Sequence, residues 1–399
     1  MTVVRLSELL GQPGPSAFLR GVVAGGRYAN AYLFQGAAGV GKGTAALAFA
    51  RALLCETRNG PKAQGGLFDE AAAPPAGPAD DACGVCSACQ RSGQLTHPDL
   101  KFLFPVSGEE KELDKTVAET QQAVREDPFF VFHYEKAASI RLSLTRELLR
   151  DLAYRPFEAE RRVVVVRDAD RMREDQYSAL LKSIEEPGVS TVWVLTTARA
   201  ARLPATIPSR CQKVRFAPLT ERTIQGFLEQ RVGIASEQAH LLAALSGGSL
   251  ARALTLREGM PRDERNQALA LLEPALKGRP AELWMAVQAM TKHGRSGREV
   301  LRRMVEFHQL WLRDLLRARY GAAPEELVYE DRADEVRREA ERTEPAEIRR
   351  RLMVLEEMLR SIEGNVTPEL AMFSALARLP GRRFADGSWP PHPTARWDY

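Results

Sequence analysis

At 399 residues, 44% of them apolar, the chain is too long for one ordinary core and has the hydrophobic content for two or three. Its formal charge of +4 is spread over 56 basic and 52 acidic residues with no polybasic block, too mild a bias to argue for a nucleic-acid partner. No apolar run approaches the length of a bilayer span, and the opening "MTVVRLSELLGQPGP" has neither a secretory nor an organellar signature, so a cytoplasmic protein is expected.

The first informative stretch is "AYLFQ", Ala31 to Gln35, a short apolar strand that runs into a glycine-rich loop and then an Ala/Leu-rich helix from about Lys42 to Leu54. Gly36, Gly39 and Gly41 followed by Lys42 satisfy G-x-x-x-x-G-K. In such a loop, glycines turn backbone N–H groups toward phosphate oxygens, a helix N-terminus adds positive potential, and the lysine supplies a point charge. The next position ordinarily gives a hydroxyl to magnesium, and here it is Gly43. Thr44 comes one residue later, about 100° further round the helix, and cannot simply take over that ligand. The expectation is a degenerate loop that can bind ATP but coordinates magnesium poorly.

Cys55 closes that helix, and Cys83, Cys86 and Cys89 form C-x-x-C-x-x-C. Four thiolates suit a tetrahedral zinc ion with no open position, hence a structural site, whereas the spacing does not suit an iron–sulfur cluster. Between Cys55 and Cys83 lies a Gly/Pro/Ala/Gln-rich insertion at 59–81, expected to be a surface excursion that zinc clips to the core.

Two further strands, "RRVVVVR" at 161–167 and "TVWVLTT" at 191–197, flank the helical stretch "EDQYSALLKSIEEP". Near-continuous β-branched runs alternating with helices predict parallel strands covered on both faces. An ATPase of this class needs adjacent acids where the "VVVV" strand ends, one for magnesium and one to orient water. The sequence there is Arg167, Asp168, Ala169, Asp170. With Asp168 as the metal ligand, Ala169 stands where the second acid belongs; with the register moved back by one, Arg167 stands in the metal position. No ATPase activity of the chain's own is therefore expected, an unconventional site recruiting Asp170 being the alternative.

Beyond these strands, "ARLPATIPSRCQKVRF" places Ser209, Arg210 and Cys211 on a corner before another strand-like segment. An arginine so presented can reach a neighbouring subunit's triphosphate, a contribution worth about 10³ to 10⁵ in rate where it occurs. After Phe216 the pattern is helical only: a small bundle to about Arg257, a larger one from about Pro261 to Leu379, then an unpatterned Pro-rich tail. The fold class predicted is α/β followed by all-α.

In this order the phosphate loop, Cys55 with "CGVCSAC", "THPDL" at 96–100, "ALLKSIEEP" at 179–187 and "TIPSRC" at 206–211 resemble bacterial clamp-loader subunits over about Leu33 to Phe216. The resemblance implies an AAA+ P-loop domain at 1–217, with a zinc module at about 55–100 inside it. A helical lid at 218–260 and a helical collar at 261–380 would follow, with a tail at 381–399. It implies partners as well: tau/gamma and delta subunits in a five-membered ring, and through them the sliding clamp and primer-template DNA of replication. By the same resemblance Arg210 would be a finger acting in trans on a tau/gamma ATP site, with Ser209 and Cys211 shaping its corner. Cys55, Cys83, Cys86 and Cys89 would hold zinc, and Thr197 and Arg252 would stand at the sensor positions. Aligned on "ALLK", the tau/gamma pattern puts its magnesium aspartate at Arg167, its catalytic glutamate at Asp168 and its loop threonine at Gly43. These departures fit the family's zinc-bearing member that does not hydrolyse ATP.

Two other readings were open: a self-sufficient ATPase of the tau/gamma kind, and a P-loop kinase of a small metabolite with an unrelated zinc clip. The second leaves the Arg210 corner and "LLKSIEEP" unexplained.

Overall fold

The computed structural model describes residues 4–59, 79–106, 113–127, 129–132, 138–185, 190–257, 261–291, 295–363 and 367–380. Most of the 59–81 insertion and the tail at 381–399 lie outside them. The chain divides into two compact units, Met1–Gly233 with Ser246–Thr255, and Ile234–Leu245 with Leu256–Tyr399, so the segment expected as a lid contributes to both.

The first unit is built on five strands, β1 (Ala31–Gln35), β2 (Leu100–Leu103), β3 (Arg162–Val166), β4 (Thr191–Thr197) and β5 (Gln212–Arg215), all parallel in the order β2-β3-β4-β1-β5. Its helices, in chain order, are α1 (Pro13–Gly25), α2 (Lys42–Leu54), α3 (Glu56–Asn59), α4 (Ser87–Gly93), α5 (Leu113–Glu126), α6 (Leu142–Leu152), α7 (Glu174–Glu185), α8 (Thr206–Arg210) and α9 (Glu221–Phe227). The unbroken apolar runs have the predicted cause. Tyr32, Phe34, Val163, Val165 and Val194 pack on one face with Phe49 and Leu53 of α2, while Leu33, Val164, Val166, Trp193 and Leu195 pack on the other with Leu148 and Leu180. Alternate side chains of every central strand are thus buried on opposite sides.

Parallel pairing has a further consequence. Gln35 lies beside Thr197 and Val166 beside Leu195, so the loops leaving β1, β3 and β4 emerge along one edge of the sheet.

Strand β2 was not anticipated; only four residues long, it is fixed by the "THPDL" turn before it. Asp99 of that turn is fully buried and accepts backbone N–H groups of Phe157 at 2.6 Å, Glu158 at 2.9 Å and Ala159 at 2.9 Å. Beside it the buried His97 accepts the Asp99 N–H on Nδ1 at 3.1 Å, which leaves Nε2 to donate to Glu158 at 3.0 Å. The pair fastens the α4–β2 turn to the loop that enters β3.

The second unit is all helical: α10 (Ser236–Leu245), most of α11 lying with the first unit (Leu250–Arg257), then α12 (Pro261–Leu276), α13 (Pro280–Thr291), α14 (Arg295–Arg319), α15 (Ala333–Arg342), α16 (Pro345–Glu363) and α17 (Pro368–Arg378). The long α14 is its axis. Tyr329, wholly buried, donates its hydroxyl to Phe307 O at 2.9 Å and its N–H to the buried Asp314 at 2.9 Å, and its ring meets Trp311 edge-on. Among the described residues no helix is long and apolar enough to cross a membrane.

Burial pushes the Asp99 pKa up, but the N–H donors of Ala159, Glu158 and Phe157 outweigh it and hold the carboxyl below its usual range. A pKa depressed on folding stabilises above the unfolded value of about 3.9 and is lost as pH falls below it. Asp99→Ala should cost about 3 kcal/mol in urea denaturation at neutral pH, a difference that shrinks as the pH is lowered toward the acid limb.

Candidate functional site

The loop from β1 into α2 is shaped by contacts that only glycine permits. Gly39 sits at φ +75°, and a Cβ there would lie 2.1 Å from Ser249 Oγ, while its carbonyl accepts the Ala251 N–H at 3.4 Å. Gly36 and Gly41 fall in the same loop, as the motif requires, and Thr44 lies in the first turn of α2. Lys42 opens α2 and is 5% exposed; its ammonium donates to Gly36 O at 2.8 Å and Ala37 O at 2.5 Å. Burial pulls its pKa down to about 8, the charges of Asp168 and Asp170 opposing that pull and Arg167 adding to it. The lysine is folded back on the loop it serves.

Around this turn is a cleft of about 430 Å³. Its lining mixes apolar side chains, among them Leu9, Leu10, Val40, Leu219 and Leu250, with residues 41–44, Arg167, Asp168 and Asp170. Such a mixed lining suits a ligand with both apolar and anionic parts.

The acid positions are occupied as the sequence foretold, and the geometry adds what each does. Arg167 leaves the end of β3 and lies against Gly43: a Cβ on that glycine would be 2.5 Å from Arg167 Nη1. Its guanidinium also rests 3.8 Å above the Phe132 ring, with Nε 3.5 Å from Asp168 Oδ2. Asp168 adopts φ +48°, rare for a residue with a side chain. Asp170, its side chain 2% exposed, accepts Thr197 Oγ1 at 2.8 Å and Arg199 Nε at 2.9 Å. Each of its oxygens therefore already accepts one hydrogen bond. Thr197, expected at a sensor position, is brought to this group; Arg252 is placed on α11, where its N–H donates to Ser249 Oγ at 3.2 Å.

The four cysteines converge although 27 residues separate Cys55 from Cys83. Their sulfurs all lie within 4.8 Å of one another, with Cys55 and Cys86 3.9 Å apart and Cys83 and Cys89 3.8 Å apart. A tetrahedral metal with bonds of about 2.3 Å to sulfur would need edges of about 3.8 Å, so the set fits a thiolate-bound ion. The N–H groups of Cys86 and Cys89 donate to Cys83 Sγ at 3.3 Å and Cys86 Sγ at 3.4 Å, which favours charged sulfur. Outside the cluster, Arg5 donates to Cys83 O at 3.1 Å, and Asp81 accepts the N–H groups of Leu6 and Ser7, fastening the N-terminal segment to the cysteine module.

Arg210 ends α8 with its side chain 41% exposed. Its Nε contacts Glu185 at 2.6 Å, and its Nη1 donates to Thr206 O at 3.2 Å, while Ser209 Oγ donates to the same carbonyl at 3.0 Å. Cys211 follows, with a thiol that burial pushes up to about 11, opposed by Lys213. It is not among the four clustered cysteines.

Sequence reasoning missed the aromatic segment at 129–132, which lines the cleft and supplies the ring under Arg167. The signal available was the cluster "PFFVF", which carries no spacing rule that places it.

Comparison with known proteins gives a consistent picture. The profile of the family described as "DNA polymerase III, delta subunit" matches residues 11–220. The chain is 31% identical to DNA polymerase III subunit delta' of Pseudomonas aeruginosa, over 66% of this chain and 68% of that protein. It is 24% identical to DNA polymerase III subunit delta' of Bacillus subtilis, over 89% and 92%. Against DNA polymerase III subunit tau of Bacillus subtilis the identity is 22%, over 86% of this chain and 55% of that protein.

If the sulfur cluster is a closed metal site, protein purified without chelator carries about one equivalent of metal by elemental analysis, and Cys86→Ser loses it together with protease resistance near 55–100. A metal-free wild type with the same protease pattern as the metal-bound form would count against a structural ion.

Proposed function

This chain belongs to the DNA polymerase III delta' family, and from that premise we propose that it is a structural, non-hydrolysing AAA+ subunit of a clamp loader. In this role it helps a ring containing tau/gamma and delta subunits place the sliding clamp on primed DNA. The observation that carries the reading is Arg167 against Gly43. In a hydrolysing subunit these two positions carry the metal's carboxylate and hydroxyl, and here they carry a cation and no side chain. The residues present at these two positions do not fit magnesium.

Catalytic influence is assigned instead to Arg210. A guanidinium that is exposed, terminal on a short helix and held by a single carboxylate partner is available for exchange onto a phosphate. Across a subunit boundary it would meet charge developing on a tau/gamma subunit's transferring phosphoryl group, with Ser209 bracing the turn. The thiolate geometry supports zinc as the ion held by Cys55, Cys83, Cys86 and Cys89, in a structural role that ties the N-terminal segment and α4 to the end of α2. The three-part division into AAA+ domain, lid at 218–260 and collar at 261–380 belongs to the same reading; the helical second unit supports it as an assembly element.

The similarity to tau keeps one rival reading, a subunit that hydrolyses ATP itself. The engaged Asp170 and the cation at 167 weigh against it.

Purified alone, the chain should show no ATP turnover above background. Mixed with tau/gamma and delta subunits, wild-type protein should support DNA-stimulated ATPase. Arg210→Ala should assemble equally by gel filtration while the adjoining site loses about 10³-fold or more in rate. Full activity of the assembled Arg210→Ala complex would remove the finger, and turnover by the isolated chain would restore the rival.

A further inference from the structure

We infer that the first unit carries a second ligand site, a cavity between α2, α4 and α5 that takes a small organic oxyanion. The site is separate from the phosphate loop and does not rest on the proposed function.

The cavity has a volume of about 270 Å³. Thr44, Leu47, Ala48 and Arg51 of α2 form one side, Gln90 and the stretch from Ser92 to Leu95 a second, and Val124 and Arg125 of α5 a third. Val4, Thr44, Leu47 and Val124 also border the cleft described above, but Lys42, Arg167, Asp168 and Asp170 line that cleft and not this cavity.

Among the described residues the lining holds two arginines and no carboxylate. Arg51 is 6% exposed, and its Nη1 donates to Val4 O at 2.7 Å. No other nitrogen of that guanidinium has a hydrogen-bond partner among the described residues, and Nε is buried. Arg125 Nε and Ser92 Oγ are likewise buried without a partner, in a serine that is only 2% exposed. A buried donor without an acceptor costs free energy, and three residues around one space share that condition. The charges of Cys89, Asp81 and Glu8 act on Arg51, but none of these residues lines the cavity. Water can accept from the donors, yet it leaves both cationic side chains uncompensated, whereas an anion answers both needs.

A guanidinium offers its N–H groups in a plane and pairs with two oxygens of one carboxylate or phosphate, so Arg51 and Arg125 suit an oxyanion. The lining also includes Val4, Leu47, Ala48, Leu95 and Val124, which gives the ligand an apolar body rather than a bare inorganic ion. Bound there, it would tie α4, which begins next to Cys86, to α2 and α5.

The test is a titration of the full chain, purified without chelator, with phenyl phosphate, benzoate and inorganic phosphate as separate probes. Calorimetry reads the affinity, and ¹H–¹⁵N NMR of the arginine Nε–H groups reads the place. The Arg51 and Arg125 signals, identified by their loss in Arg51→Lys and Arg125→Lys, should move together along one saturable curve. Arg125→Gln should weaken binding by about tenfold or more, the scale of one charge-assisted hydrogen bond, and Ser92→Ala by about fivefold. Tighter binding of phenyl phosphate than of benzoate would assign a phosphate ester, and the reverse a carboxylate. Calorimetry on the wild type does not depend on any variant folding, and circular dichroism checks the variants. No saturable binding of any probe, or shifts confined to Arg167 in the other cleft, overturns the inference; inorganic phosphate binding as tightly as the organic probes overturns its apolar half.

Discussion

Strands that pair in parallel must all end along one edge, and the chemistry of the first unit follows from that geometry. β1, β3 and β4 belong to distant parts of the chain, yet their register puts Gln35 beside Thr197 and Val166 beside Leu195. A glycine-rich turn, a charged turn and a threonine are thereby delivered to one rim, anchored by Val40 and Ala169, which are buried in the core on either face. The core can be apolar on both faces because the polar groups are confined to the strand ends.

Local signals made the frame legible in the sequence. β1, α2 and β4 begin and end where the loop glycines, the cysteine at position 55 and the β-branched runs said they would. The four cysteines were legible too, since their chemistry demands a common partner whatever the intervening chain does. Short elements held by distant groups were not. β2 depends on Asp99 capturing backbone N–H groups nearly 60 residues away, and no periodicity reports such a contact. The aromatic segment at 129–132 was opaque for a related reason: its role is to lie under a guanidinium that local sequence cannot bring to it.

At the acid positions the sequence was partly legible. It indicated that a carboxylate was missing at 167 and left open whether Asp170 filled in. The geometry adds that Asp170 already accepts from Thr197 and Arg199. The identity of a residue limits its possible roles, and its partners select among them.

The contact between Arg210 and Glu185 changes the energetics of any reach toward a neighbour. An arginine resting in water must shed its hydration and its rotational freedom on arrival, whereas one already paired gives up one anion as it gains another. In the proposed role, moving to a neighbour's phosphate would exchange the Glu185 carboxylate for another anion. On that proposal, the neighbour's phosphate charge would decide where the guanidinium sits. A subunit built this way would respond to the nucleotide state next door and let go once that charge has left.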